Sequence, residues 1–294
     1  METFFGAFLQ GVLLGGIYAL IALGVLVVYK SCKIFNMAHG EIMVLVSYLA
    51  WWLAVSKGLP LAVAIVIAVL SGALIGWVLN RFLISPLIGK PMLVTFLLTL
   101  VIGIGIQGMT IIAWEGLPQT FPSFVPRGNL NVGGIALSYL SLAAFAVAVA
   151  MFVIFVLFFR FTRTGFGMKS VSEDPDLSRA LGIDVEQIYA ISWLIGGIAA
   201  AIGGILVASV YAVDTSLGLV GMVRAIPVLL LGGLESLPGC IIGALIIGVV
   251  ELMASTYIDP HVSGFRELLP FILIIAMLML RPHGLFGQKR IERI

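Results

Sequence analysis

Charge is scarce in this sequence: Asp, Glu, Lys and Arg make up 10% of its 294 residues, against about 25% in soluble domains. Cysteine is scarcer still, and Cys32 and Cys240 lie too far apart to indicate a disulfide framework. The histidines, at positions 39, 261 and 283, have no metal-binding spacing. The net charge of +2 gives no basis for a nucleic-acid partner. These features exclude a soluble domain, a disulfide scaffold, a metal site and nucleic-acid binding.

Apolar sequence is abundant instead, at 61% of residues, and it occurs in long runs. A bilayer core of about 30 Å is crossed by roughly 20 apolar residues in a helix. We therefore predict an all-α integral membrane protein with one membrane domain over 1–294 and about eight crossings. The predicted crossings are 4–29, 41–56, 61–80, 92–114, 137–159, 187–211, a broken segment 223–257, and 266–281.

The basic residues predict the orientation of these crossings, because short cytoplasmic loops are enriched in Lys and Arg. With the N-terminus outside and the C-terminus inside, 12 of the 16 basic residues fall on the inner side. The inner set is Lys30, Lys33, Arg81, Lys90, Arg160, Arg163, Lys169, Arg179, Arg281, Lys289, Arg290 and Arg293. The outer set is Lys57, Arg127, Arg224 and Arg266.

Two segments interrupt the apolar pattern, one at 30–40 and one at 232–239. The second contains Gly232, Gly233, Pro238 and Gly239, which predict a helix break that sends 223–257 inward and back. Interruptions at matching places in two halves of a chain are typical of transporters built from inverted repeats. An inverted repeat with an offset near 180 residues is one interpretation. Chance similarity of Gly-rich apolar sequence is the other.

The inner loop 160–187 is the one predicted cytoplasmic stretch with enough polar residues to fold and to be recognised. Asp174 and Pro175 predict a helix start and Gly182 predicts its end. The helix would carry acidic residues at its start and an apolar stripe, in a segment that includes Glu173, Asp176, Leu177, Arg179, Ala180 and Leu181. Membrane-surface helices favour basic polar faces. We therefore favour a soluble partner over lipid headgroups as its contact.

The chain has no nucleotide loop of its own, because Met168 stands before Lys169 where that motif requires glycine. It also has no His-E-x-x-His pair, no Ser–His pair and no carboxylate dyad, so we predict no catalytic residues and no enzyme. Any ATP would be bound by another chain. No cofactor or metal is expected in this one.

Four ionisable or polar residues are candidates for a translocation path or gate. Asn36, His39 and Glu41 stand where a short span begins, so a discontinuous helix start could face the path. The alternative is that they start the helix and pack against neighbours. Glu251 follows the predicted break by about a dozen residues. For it we favour an ion pair with Arg224 or Arg266 over contact with cargo.

Several blocks along the chain together resemble the branched-chain amino acid ABC permease family. The blocks are Asn36–Glu41, Gly16–Leu20 with Tyr29, the loop Gly165–Ile183, Leu231–Gly239, and Arg281–Gly287. The Ala-His-Gly-Glu form at 38–41 and the chain length favour the shorter of two sister permeases. The sequence departs from the family pattern at Glu235, at the basic stretch 30–33 and at 169–170.

The resemblance implies the membrane-spanning permease subunit of an ABC importer in the bacterial inner membrane, carrying branched-chain or related hydrophobic amino acids. It implies a sister permease, two ATPase subunits that bind ATP and Mg, and a periplasmic binding protein. Urea or another small amide or acid is an alternative cargo. A stand-alone ion-coupled transporter is a further alternative, which would need central intramembrane carboxylates. Whether the chain pairs with itself or with a sister stays open.

Overall fold

A computed structural model describes residues 2–87, 90–126, 128–281 and 283–287. Over these residues the chain forms eleven α-helices and one β-hairpin. The helices of the first half are α1 Glu2–Cys32, α2 His39–Trp51, α3 Leu61–Leu79, α4 Met92–Trp114 and α5 Tyr139–Phe161. The remaining helices are α6 Arg163–Glu173, α7 Pro175–Ala180, α8 Val185–Val210, α9 Leu217–Gly232, α10 Leu237–Tyr257 and α11 Phe265–Leu280. The hairpin pairs β1 Asn129–Val132 with β2 Ile135–Ser138.

The structure confirms the predicted spans as helices. Helices are expected there, because a chain in lipid must satisfy its backbone hydrogen bonds internally. In the described part of the chain, 7 helical stretches are long and apolar enough to cross a membrane. They lie in α1, α2 with its π-helical extension Trp52–Ser56, α3 with its continuation to Leu87, α4, α5, α8 and α10. The last predicted span, 266–281, is α11, whose 16 residues fall short of a full perpendicular crossing.

The predicted broken segment 223–257 is two helices joined by a turn, as the predicted helix break indicates. The first, α9, begins at Leu217, six residues earlier than the prediction, and ends at Gly232. The second, α10, has 21 residues and is long enough to cross alone. The apolar run missed the true start of α9 because Gly218 and Gly221 dilute the local hydropathy.

Small residues set the closest helix contacts, as expected where lipid gives no hydrophobic drive for helix association. A Cβ placed on Gly15 of α1 would stand 2.8 Å from the backbone of α10 at Ala244, and Gly11 meets Val249 in the same way. On the other side of the molecule, a Cβ on Gly76 of α3 would overlap the carbonyl oxygen of Trp193 in α8. These glycines therefore serve packing within the chain.

The two halves of the chain pack alike, which supports the inverted-repeat interpretation. Helices α1 to α4 correspond in order and spacing to α8 to α11, and the pairs repeat: α1 packs on α10 as α8 packs on α3, and α1 packs on α9 as α8 packs on α2. The equivalent helices α1 and α8 cross antiparallel, since Ile21 lies against Gly203 and Val28 lies against Gly196. The first helices of the two halves thus run in opposite directions, as an inverted repeat requires.

The two ends of the bundle carry different structures. At the start of α1, a Cβ placed on Gly6 would stand 3.6 Å from the side chain of Ile135 in the hairpin. At the other end of α1, α1 contacts α6, and Lys30 of α1 lines a cavity together with Lys169 of α6. The 31 residues of α1 separate these ends by about 45 Å. The hairpin and the α6–α7 segment therefore lie on opposite sides of any membrane that the bundle spans, as the charge-based topology requires. Orientation itself stays a prediction.

Two details of the charge assignment need comment. Arg127, Lys289, Arg290 and Arg293 lie outside the described residues. Arg224, which the charge pattern predicts on the outer side, lies within α9, where its side chain is 15% exposed and paired with Glu251. A local count of basic residues cannot detect this, because the partner of Arg224 lies on another helix.

Candidate functional site

The segment 33–38 between α1 and α2 is not helical, and hydrogen bonds hold it in place. Asn36 is buried, and its Oδ1 accepts from the backbone N–H of Ala38 at 3.0 Å. Thr99 of α4 accepts from the N–H of Met37 at 3.1 Å, and its hydroxyl lies within hydrogen-bonding distance of the carbonyls of Phe96, at 2.9 Å, and Phe35, at 3.3 Å. Because these bonds satisfy the free backbone groups, the interruption can lie inside the bundle.

His39 and Glu41 leave the first turn of α2 in different directions. His39 is fully buried between α1 and α8, in a notch where a Cβ on Gly24 would overlap its ring. The carboxylate of Glu41 faces Gly218 at the start of α9, where a Cβ would stand 2.5 Å from Oε1. Its Oε2 is buried and has no hydrogen-bond partner among the described residues.

The starts of α2 and α9 meet each other. A Cβ on Gly40 would overlap the carbonyl oxygen of Gly218. These are equivalent positions of the two halves to within two residues, so the contact lies near the pseudo-two-fold axis. Asn36, His39 and Glu41 are thus brought to one helix start near the centre of the bundle. Their role in a path or gate stays a prediction.

Glu251 belongs to a separate buried cluster with Arg224 and Tyr18. Arg224 Nη2 donates to Glu251 Oε1 at 3.0 Å, the Tyr18 hydroxyl donates to Oε2 at 2.9 Å, and Arg224 Nε lies 3.3 Å from the Tyr18 oxygen. The ion-pair prediction for Glu251 therefore holds for Arg224, while Arg266 contacts Asp259 instead. Tyr18 was missed, because nothing in an apolar helix marks one tyrosine as a partner 233 residues away.

A cavity of about 460 Å³ adjoins this cluster, and we call it the outer cavity. Its charged and hydroxyl-bearing wall includes Tyr18, Arg224, Glu251, Arg266 and Glu267. Its apolar wall includes Leu14, Ile17, Ile21, Val207 and Leu252. It lies on the same side as the hairpin, because Leu14, Ile17, Tyr211 and Leu252 also line a 270 Å³ cavity that reaches Asn129 and Leu137.

At the opposite end, the α6–α7 segment is built by side-chain caps. Thr162 accepts from Gly165 N–H to start α6, and Asp174 Oδ1 accepts from Leu177 N–H at 2.9 Å to start α7. Pro175 stands in the first turn and Gly182 has a φ of +84°, which suits a helix end. The predicted short helix is therefore present, whereas α6 was not predicted, because its glycines and polar residues mask its helical periodicity.

The α7 surface is apolar and uncovered. Leu177 is 58% exposed and Leu181 is 73% exposed. Glu173, Asp176 and Arg179 are also exposed, and Arg179 pairs loosely with Asp176 at 3.6 Å. Ser178 by contrast is buried. The segment thus offers two leucines and a mixed charged rim on a face that packs against nothing in the described chain.

The turn between α9 and α10 occupies Gly233–Ser236. Gly232 is the last residue of α9, and Pro238 and Gly239 lie in the first turn of α10, so they flank the break. A Cβ on Gly239 would overlap the carbonyl oxygen of Gly232, so the helices cross in backbone contact. The C-terminal segment is hydrogen-bonded to the end of α9 beside this turn. The N–H of Leu285 donates to the carbonyl of Leu231 at 2.8 Å, and the N–H of Phe286 donates to that of Gly232 at 3.1 Å.

Two residues that depart from the family pattern contact each other at this turn. Lys33 Nζ lies 2.5 Å from Glu235 Oε1, although the residues are 202 positions apart. Glu235 also lines a 260 Å³ cavity with Lys30, Lys169 and Glu173. The ion pair links the end of α1 to the α9–α10 turn, beside the α6–α7 segment. In the described residues, no group of three or more His, Cys, Asp and Glu side chains could hold a metal ion.

Comparison with known proteins is consistent with this architecture. The chain is 27% identical over 97% of its length to the high-affinity branched-chain amino acid transport system permease protein BraD of Pseudomonas aeruginosa, covering 96% of that protein. It is also 27% identical, with the same coverages, to the corresponding permease protein LivH of Escherichia coli K12. Among solved structures, a chain of PsaBC from Streptococcus pneumoniae in complex with Fab shares the fold at a TM-score of 0.50 and 13% identity, covering 91% of this chain and 88% of that one.

The family match extends over nearly the whole described bundle. Residues 7–278 match the family described as branched-chain amino acid transport system / permease component, a span from the first turns of α1 into α11. The match therefore includes the α2 start, the outer cavity, the α6–α7 segment and the α9–α10 turn. The chain is a multi-pass membrane protein that belongs to the branched-chain amino acid transport permease family.

Proposed function

We propose that this chain is the membrane-spanning subunit of an ABC importer for branched-chain or related hydrophobic amino acids. A periplasmic binding protein would deliver the cargo on the side of the hairpin. Two ATPase subunits would bind ATP and Mg on the side of the α6–α7 segment, so this chain itself would hold no cofactor. A second permease, identical or homologous, would complete the membrane part.

The observation that carries the proposal is the uncovered apolar face of α7. Leu177 of α7 and Leu181, which directly follows α7, are exposed among charged residues at one end of the bundle. The helix has only six residues, which is too little apolar surface to anchor it in lipid. A groove on a soluble partner is the environment that would bury both leucines. In an importer driven by ATP, that partner is the ATPase.

Charges near α7 support the same assignment. Asp174 and Asp176 precede Leu177, and Arg179 lies between Leu177 and Leu181. Exposed charges around an apolar contact set the orientation of docking more than its strength. Because α6 packs beside the end of α1, and α1 reaches the α9–α10 turn through Lys33 and Glu235, movement of a docked ATPase has a short route into the bundle.

The decisive experiment is amino-acid uptake by the complete complex in vesicles with ATP enclosed. Substitution of Leu177 and Leu181 by Asp is expected to abolish pull-down of the ATPase and ATP-driven uptake, because two charges would enter an apolar groove. Asp176→Lys is the matched control on the same helix, and it is expected to weaken association far less. Wild-type uptake and ATPase binding in the double Asp variant would overturn the docking assignment.

Orientation needs its own measurement. Cysteine at Asn129, exposed in the hairpin, is expected to react with an impermeant thiol reagent added to intact cells. Cysteine at Ala180, exposed on α7, is expected to react only after lysis. Background is low because Cys32 and Cys240 are both buried. The reverse pattern would invert the topology and move the proposed docking side with it.

A further inference from the structure

The outer cavity combines one cationic group, one anionic group and an apolar wall. We propose that it binds the zwitterionic head of an α-amino acid, with the ligand carboxylate on Arg224 and the ligand ammonium on Glu251. This inference rests on the proposed function and assigns the cargo a place within this chain. The apolar wall would then take the side chain of the amino acid.

Both charged groups keep unused hydrogen-bonding capacity. A guanidinium has five N–H donors, and the contacts of Arg224 within the described residues engage Nε and Nη2. Its side chain remains 15% exposed, so the guanidinium is not sealed off. Each oxygen of Glu251 accepts one hydrogen bond, from Arg224 or from Tyr18, and a carboxylate oxygen can accept two. A ligand can therefore join the cluster without first breaking it.

Charge balance selects a zwitterion over an anion or a cation. A transport site is empty for part of each cycle, and an isolated charge inside a membrane protein is costly. The Arg224–Glu251 pair meets this condition, because each charge neutralises the other when no ligand is present. A zwitterion has no net charge, so binding it leaves the site neutral as well. A lone carboxylate or a lone amine would leave one charge unmatched.

Size and lining agree with a small apolar amino acid. The cavity of about 460 Å³ falls within the range of about 300–1,000 Å³ that is usual for small-molecule sites. Such sites are mostly apolar with a few convergent polar groups. Here Leu14, Ile17 and Leu252 line the same cavity as the buried pair. Arg266 and Glu267 of α11 add charged groups of both signs to the lining.

A binding test that needs no transport comes first. Ser255 lines the cavity and is half-buried, so Ser255→Cys in the purified complex should react with an impermeant methanethiosulfonate reagent. Saturating leucine is expected to slow this reaction several-fold. The corresponding amine, 3-methylbutylamine, and the corresponding acid, 4-methylpentanoate, are expected to slow it little. Equal protection by all three compounds, or none by leucine, would overturn the proposal. Val220→Cys, on the α9 wall, repeats the test if Ser255→Cys folds poorly.

A second test separates a binding site from a structural ion pair. Leu252→Trp fills part of the cavity and leaves Arg224 and Glu251 in place, and Ile242→Trp on the exposed face of the same helix is its matched control. We expect Leu252→Trp to lose most leucine uptake and leucine protection while keeping the thermal stability and subunit content of Ile242→Trp. Wild-type uptake by a stable Leu252→Trp complex would overturn the proposal.

The two levels of inference fail separately. If the complex takes up leucine but leucine does not protect the cavity cysteines, the cavity assignment falls and the proposed function stands. If the complex takes up no amino acid but leucine still protects them selectively, the cavity assignment stands and the transport assignment falls.

Discussion

Two ion pairs of the α9–α10 unit lie beside α1, and they differ in burial. Towards the hairpin end, the side chains of Arg224 and Glu251 are 15% and 7% exposed, and Tyr18 of α1 completes the cluster. Towards the α6–α7 end, the side chains of Lys33 and Glu235 are 31% and 42% exposed. The first pair is mostly buried, whereas about a third of each side chain in the second pair is exposed to solvent.

This difference predicts unequal energetic roles. Removing one partner of a buried pair leaves an uncompensated charge in an apolar environment, which is strongly destabilising. An exposed pair is screened by solvent and its median contribution is about 0–1 kcal/mol. The Arg224–Glu251 pair, here called the outer pair, should therefore behave as part of the folded core. The Lys33–Glu235 pair, here called the inner pair, should behave as an adjustable contact beside the α6–α7 segment.

The largest expected effect comes from breaking the outer pair. Glu251→Leu leaves Arg224 buried without a counter-charge and should destabilise the protein by about 3–5 kcal/mol. Thermal unfolding of the purified protein in detergent measures the loss. The double variant Arg224→Leu with Glu251→Leu removes both charges and should recover much of the stability. If the double variant is no more stable than the single one, the pair is not the cause.

A smaller loss of stability is expected from overpacking the contact between α1 and α10, which lies between the two pairs. In Gly15→Val the new side chain would overlap the backbone at Ala244 and Leu245, and such overpacking costs about 1–3 kcal/mol. Gly105→Val in α4 is the matched control, because nothing lies within 4 Å of a Cβ there. The same unfolding assay compares them. Equal stability of the two variants would show that α1 and α10 separate easily.

At the inner turn, backbone contact should matter more than the proline. Gly239→Ala places a methyl group against the carbonyl of Gly232, and we expect it to reduce uptake strongly. Pro238→Ala should have little effect, since Pro238 stands in the first turn of α10, where its missing N–H needs no helical partner. Vesicle uptake by the two single variants and by the Ala-Ala double variant separates the contributions. Loss in Pro238→Ala alone would reverse this assignment.

The smallest effect on stability is expected from the exposed inner pair. Lys33→Glu should cost no more than about 1 kcal/mol, because solvent screens the pair. Its effect on ATP-driven uptake should be larger than on stability and should be relieved by the second change Glu235→Lys, which restores opposite charges. Uptake is compared at low and high salt. A swap variant no better than Lys33→Glu would indicate that the pair does not contribute to coupling.

Prediction from the sequence worked best where the cause is local. The positions of α1, α3, α4 and α8 follow from apolar runs, and the start and end of α7 follow from Asp174, Pro175 and Gly182. It failed for α6 and for the start of α9, where glycine and polar residues lower the local signal although packing against neighbouring helices stabilises the helical form. The β-hairpin between α4 and α5 was also not predicted.

For the candidate site residues, too, the sequence predicted what depends on local pattern and missed what depends on tertiary contacts. The sequence placed Asn36, His39 and Glu41 at a helix start, and this placement depends only on the interrupted apolar pattern. It did not indicate that His39 would fill a notch at Gly24, or that Glu41 would face Gly218. Such contacts depend on which helices lie side by side. Apolar runs of similar composition do not specify which helices become neighbours.

By itself, the sequence determined that this chain is a helical membrane protein, because lipid forces each long apolar run to satisfy its own backbone hydrogen bonds. Its motifs, by their resemblance, also indicated the transport permease family. Only the tertiary structure decided which distant groups meet. Tyr18 reaches Glu251 and Lys33 reaches Glu235 because small residues let α1 approach its neighbours closely. Close approach depends on the surfaces of both helices in a pair, so the sequence of one helix alone does not determine it.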